Sequence, residues 1–132
     1  MSSADPRLDV KLAPNVKAPE RARRSLENVG AQLTEEVLDD VRLLVNELVT
    51  NSVKFGGEGL IQLRVTGSGR SVRVEVHDQG PGFAPPGREP TVEETSGRGL
   101  FLVDAIADRW GVSLDGTTCV WFEIDRPQRE AS

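Results

Sequence analysis

Between Thr34 and Val76 the spacing of apolar residues changes from one period to another, and this change constrains the fold more than any other feature. Val37, Leu38, Val41, Leu44, Val45 and Leu48 recur at helical spacing. Thr34 ahead of Glu35 and Glu36 offers a hydroxyl cap followed by acids near the positive end of the helix dipole. The helix is predicted to run from there to about Lys54 and to stop at Gly56-Gly57. Ile61, Leu63 and Val65 then alternate with polar residues, as do Val72, Val74 and Val76, and Gly67-Ser68-Gly69-Arg70 between them supplies a hairpin turn. A helix with one apolar stripe beside strands with one apolar face calls for helices packed on one side of a sheet.

The rest of the chain extends this pattern. Leu8 to Leu12 alternates and reads as a short strand, and Pro19 suits the first turn of a charged helix reaching about Gly30. Gly80 to Ser96 reads as a loop, dense in glycine and proline up to Pro90, and its length suggests a functional lid. Gly99 to Arg109 reads as a helix, with Leu100, Val103, Ala107 and Trp110 on one face. Strands at Val112–Leu114 and Thr118–Ile124 flank a turn at Asp115-Gly116, and the polar tail from Arg126 is expected to fray. The expected fold is α+β, a two-layer sandwich with a mixed, mostly antiparallel sheet and helices on one face. One domain is expected over residues 1–132, with its core at about 8–125.

Charge and cysteine usage narrow the partners. The formal net charge is −5 and no basic block occurs, which argues against direct nucleic-acid binding. No apolar run approaches the ~20 residues that span a bilayer. Met1 to Pro6 lacks the charged start and apolar stretch of a signal peptide, so a cytoplasmic location is expected. The one cysteine, Cys119, excludes a disulfide framework and a cysteine-based zinc site, and it reads as a small core residue in an apolar strand.

Three local features carry chemistry. On the long helix, at ~100° per residue, Asn51 lies about 40° from Glu47 and Lys54 about 20° to its other side. All three share one polar stripe that borders the buried face, and the oxygens of a carboxylate and a carboxamide suit Mg²⁺. Parity along the following strand puts Asp78 inward with Val72, Val74 and Val76, directly before Gly80-Pro81-Gly82. An inward carboxylate needs a partner, and the amino group of adenine is one. His77 has the opposite parity and is expected to face solvent without a catalytic role. Gly97-Arg98-Gly99 precedes a helix, where backbone N–H groups favour phosphate oxygens. Taken singly, these fit plainer accounts: a solvated helix edge, a turn cap and an ordinary loop-to-helix junction.

Together, in this order, they resemble the GHKL ATPase superfamily (gyrase, Hsp90, histidine kinases and MutL). Glu47-Leu48-Val49-Thr50-Asn51-Ser52-Val53-Lys54 is similar to its N box. Asp78-Gln79-Gly80-Pro81-Gly82-Phe83 is similar to its DxGxGF box, and Gly97-Arg98-Gly99-Leu100-Phe101-Leu102-Val103 to its second glycine box. Ala107 to Gly111 and Gly116-Thr117-Thr118 look like the bacterial branch of anti-sigma-factor serine/threonine kinases. The match spans about Leu8 to Ile124 and implies the Bergerat type of ATP-binding fold.

The resemblance implies roles. ATP or ADP and Mg²⁺ are the implied cofactors, with Asn51 on the metal and Asp78 on the adenine amino group. Gly80 and Gly82 shape the adenine-side loop, and Thr117 or Thr118 backs up Asp78 through water. Ser96, Gly97, Arg98, Gly99 and Leu100 cradle the phosphates together with Lys54, under a lid formed by Ala84 to Ser96. Glu47 is the implied general base, because phosphoryl transfer needs mainly positioning and charge neutralisation. Phe55 departs from the family, which commonly has histidine there, and the change bears on turnover more than on nucleotide binding.

Length separates the branches. Gyrase and MutL relatives continue into a transducer domain beyond where this chain stops, and His77, in a strand, cannot serve as a sensor kinase's phosphoacceptor. The resemblance therefore points to a kinase of a STAS-type anti-sigma factor antagonist, with a sigma factor as a second partner and a homodimer common in the family. A nucleotide-responsive partner-binding module with little or no catalysis, and a slow ATPase, stand as alternatives.

Overall fold

A computed structural model describes residues 5–80, 100–114 and 117–127. The elements run β1 (Arg7–Leu12), α1 (Ala18–Ser25), α2 (Glu27–Gly30), α3 (Glu35–Phe55), β2 (Ile61–Gly67), β3 (Ser71–Asp78), α4 (Phe101–Ile106), β4 (Arg109–Leu114) and β5 (Thr118–Asp125). The strands form one sheet in the order β1-β2-β3-β5-β4. All four pairings are antiparallel, so the described sheet lacks the parallel pair that a mixed sheet would contain.

The α+β two-layer architecture follows from the two apolar periods. In register, Val10, Leu63, Val76 and Val120 share a face, as do Leu8, Val65, Val74 and Phe122. Val41, Leu44, Val45, Leu48 and Val49 of α3 join these strand residues in one cluster, almost all fully buried. Ala22 and Leu26 extend it; the small Ala18 and Ala22, both fully buried, let α1 settle closely. Thr34 caps α3 as expected, its Oγ1 accepting from Val37 N at 3.3 Å. Gly57 ends the helix with φ +78°, a backbone state that glycine adopts without strain.

Four local expectations are corrected. The first helix breaks in two at Leu26, whose N–H is shared between the carbonyls of Ala22 and Arg23 at 3.2 Å each. The third helix, expected to reach Arg109, ends at Ile106, because Ala107 turns extended (ψ 148°) and Asp108 N donates to Glu123 O at 2.9 Å. Trp110 consequently belongs to β4, opposite Phe122, and its indole N–H reaches back to Asp104 Oδ1 at 2.9 Å. Sheet pairing has outcompeted the helical period there. Cys119 is buried, but parity places it on the sheet face away from the core, opposite His77. His77 is also on that face, half-buried and engaged with Glu75 rather than simply solvated.

No described helix is long and apolar enough to cross a membrane.

Candidate functional site

The last turn of α3 meets the end of β3. Asp78 is 2% exposed, the buried end of the inward row on β3. Its carboxylate is held on both oxygens: Ser52 Oγ donates to Oδ2 at 2.7 Å, and Gly80 N donates to Oδ1 at 2.9 Å. Among the described residues no buried side-chain polar atom lacks a partner. Each carboxylate oxygen has a further lone pair, so acceptor capacity is left for a ligand.

Ser52 was not singled out from the sequence, although a signal existed. It lies one turn after Leu48 and two turns after Val45, on the apolar stripe itself. A hydroxyl at a position where the helix buries hydrocarbon must find an acceptor. That acceptor is Asp78.

Two glycines allow the close approach. A Cβ on Gly80 would lie 2.6 Å from Phe55 O and 2.7 Å from Gly56 Cα, while one on Gly56 would lie 2.7 Å from Asp78 Cγ. The end of α3 and the turn after β3 thus touch backbone to backbone. From the other side Thr118, 1% exposed and in register with Asp78, donates its hydroxyl to Gly80 O at 3.2 Å. Its hydrogen bond thus falls on the turn, not on the carboxylate. Thr117 beside it is half-buried.

The polar stripe of α3 is adjacent. Asn51 precedes Ser52 and is half-buried, Glu47 one turn earlier is also half-buried, and Lys54 is exposed. Phe55 exposes 43% of its surface at the same helix end. Leu100 is 2% exposed, with its side chain in the core, which leaves its backbone as the group able to meet a ligand. Gly82, Ser96, Gly97, Arg98 and Gly99, with the expected lid at 84–96, lie outside the described residues.

The structure therefore brings Asp78, Gly80, Thr118 and the final turns of α3 to one place. What the arrangement offers is a buried acceptor pair at the mouth of the sheet, flanked by oxygen and amide donors on a helix edge.

Comparison with known proteins agrees with this fold. Residues 12–124 match the family described as the histidine kinase-like ATPase domain. A Streptomyces coelicolor protein of uncharacterised function is 40% identical over 77 residues, covering 54% of this chain and 71% of its own length. The serine-protein kinase RsbW of Listeria monocytogenes is 28% identical over 103 residues, 65% of this chain and 66% of the kinase. The chain thus spans just under two thirds of that kinase. In fold, it is similar to the crystal structure of the RsbU and RsbW domains of Rv1364c from Mycobacterium tuberculosis, with a TM-score of 0.69 at 20% identity over 94% of this chain and 33% of that one. With its matched region running from the end of β1 to the end of β5, the chain belongs to the histidine kinase-like ATPase domain family.

Proposed function

We propose that this chain binds ATP with Mg²⁺ and transfers the γ-phosphoryl group to a serine or threonine of a small STAS-type anti-sigma factor antagonist. A sigma factor is the second partner in this reading, action is cytoplasmic, and a homodimer is the working assembly. The observation that carries it is the Ser52–Asp78 hydrogen bond, which ties the helix bearing Asn51 to a buried carboxylate. The likeness to RsbW serine-protein kinases supports the same reading.

In this reading Asp78 accepts the adenine amino group with the lone pairs that Ser52 and Gly80 leave open. Thr118 steadies the Gly80 turn. Asn51 would hold Mg²⁺, and its donor chemistry fits: a carboxamide oxygen beside the Glu47 carboxylate, on a half-buried helix edge. The ion supplies charge neutralisation on the phosphates. Glu47 takes the proton from the attacking hydroxyl. Lys54, Gly82, Ser96, Gly97, Arg98, Gly99 and the Leu100 backbone hold the triphosphate.

Label transfer from γ-labelled ATP to candidate STAS proteins tests the proposal. Transfer that is lost in Glu47→Ala while ATP binding is retained supports it. ATP binding with tight partner capture but no transfer, in the presence of Mg²⁺, would instead establish a binding module. Phe55 at the end of α3 motivates that second reading, since its apolar ring supplies no proton where the family commonly has histidine.

A further inference from the structure

On the sheet face away from the helices, the geometry points to a zinc-class transition-metal site formed by Glu75, His77 and Cys119. The inference is independent of the kinase reading. The candidate ligand atoms of the three residues all lie within 4.8 Å of one another. His77 Nε2 is the hub, 2.8 Å from Glu75 Oε1 and 3.5 Å from Cys119 Sγ. Glu75 and His77 are two apart on β3 and so share a face, and Cys119 is the register partner of His77 on β5. Both strands are internal to the sheet, so the backbone holding all three is fixed from two sides.

The donor set selects the ion. One imidazole nitrogen, one sulfur and one carboxylate oxygen suit a borderline-soft divalent cation and are a poor set for Mg²⁺ or Ca²⁺, which take oxygen. Three protein ligands leave a fourth tetrahedral position for water. The single cysteine excludes a site built from several thiolates, but not this mixed set.

A supporting layer is already built. Arg73 Nε binds Glu75 Oε2 at 2.9 Å, which leaves Oε1 turned toward His77. Arg73 in turn is fixed by Glu123 Oε2 at 3.1 Å and lies over the Trp121 ring at 4.3 Å. Such outer partners orient the ligating carboxylate and tune affinity. A plain surface ion ladder accounts for Arg73, Glu75 and Glu123. It does not account for a thiol, only 8% exposed, meeting an imidazole at the same point. On loading, the thiol proton passes to water, and the imidazole exchanges the Nε2 proton it gives Glu75 for one on Nδ1 through solvent. Sγ and Nε2 then donate lone pairs, and no electron is transferred. Since Asp78 and Thr118 directly adjoin His77 and Cys119, a bound ion would clamp the strand pair that supports the other site.

Titrating the reduced full chain with Co²⁺ tests the inference. The expected result is a saturable thiolate-to-cobalt band that Zn²⁺ abolishes, together with slower alkylation of Cys119 in wild-type protein when Zn²⁺ is present. Cys119→Ser should remove the band, and His77→Gln should weaken Zn²⁺ at least about tenfold, both with unchanged circular dichroism. The inference fails if folded wild-type protein shows no band. It also fails if Zn²⁺ leaves the alkylation rate unchanged, or if both variants bind Zn²⁺ as wild type does.

Discussion

Ser52 Oγ and Asp78 Oδ2 lie 2.7 Å apart, joining residues 26 positions distant in the chain at the seam between α3 and the sheet. The bond satisfies a hydroxyl on a buried helix stripe and a carboxylate on a buried strand row at once. Removing Ser52 leaves a buried carboxylate oxygen short of a donor, so Ser52→Ala should cost about 1–3 kcal/mol. Asp78→Asn keeps the shape but turns one acceptor into a donor facing Gly80 N–H or Ser52. In this variant ATP affinity should fall at least tenfold, by calorimetry, while urea denaturation shows a folded protein. Unaltered ATP affinity in Asp78→Asn would remove Asp78 from the nucleotide site.

The contact at Gly80 is backbone on backbone, so it cannot yield by a rotamer change. Gly80→Ala places a methyl 2.6 Å from Phe55 O, and destabilisation of about 1–3 kcal/mol is expected, with loss of nucleotide binding. Gly69→Ala is the control, because a Cβ there meets nothing within 4 Å. Its stability should stay within about 0.5 kcal/mol of wild type.

Burial first, and then the neighbouring charge of Glu75, pushes the Cys119 thiol up to about 11. Without added metal the thiol is therefore protonated and slow to react at neutral pH. Alkylation by iodoacetamide at pH 7.5 should be at least about tenfold slower in native than in urea-unfolded protein, as followed by mass spectrometry. Equal rates in the two states would show that Cys119 is accessible.

The outer face also sets an acid limit. Burial alone would raise the Glu75 carboxyl, but hydrogen bonds from Arg73 and His77 outweigh it and hold the group below its ordinary value. Glu123 is held down by its hydrogen bond from Arg109, despite some burial, with help from Arg73. Both folded pKa values lie below the unfolded one, about 4.3. Their contribution is then complete above that pH and is lost as pH falls through the folded values. Urea midpoints should stay level from pH 6 to about 5 and drop below about 4.3, with each carboxylate worth roughly 0.2–1 kcal/mol. Glu75→Gln and Glu123→Gln should be weaker at pH 6 and show a shallower acid decline.

Most of the architecture was legible from periods and caps. The α3 stripe, its Thr34 cap, the β2–β3 hairpin and the inward parity of Asp78 are all local patterns that burial then used as written. Arg109 and Trp110 were misread because apolar spacing at 100, 103, 107 and 110 fits a helix, whereas hydrogen bonds to β5 are long-range. Within the site, Asp78, Gly80 and Thr118 come together, with Thr118 bonded to the Gly80 carbonyl and not to the carboxylate that the resemblance has it back up. The partner of Asp78 was not visible, since no local rule pairs residue 52 with residue 78.

By itself the sequence determined which residues of α3, β2 and β3 turn inward and where α3 starts and ends, since period and capping act within a few residues. Only the tertiary structure decided what those inward groups touch: Ser52 on Asp78, Gly56 against Gly80, and His77 beside Glu75 and Cys119. Pairings of that kind depend on strand register and on how closely a helix end can approach a turn. Neither is written in the spacing of one segment.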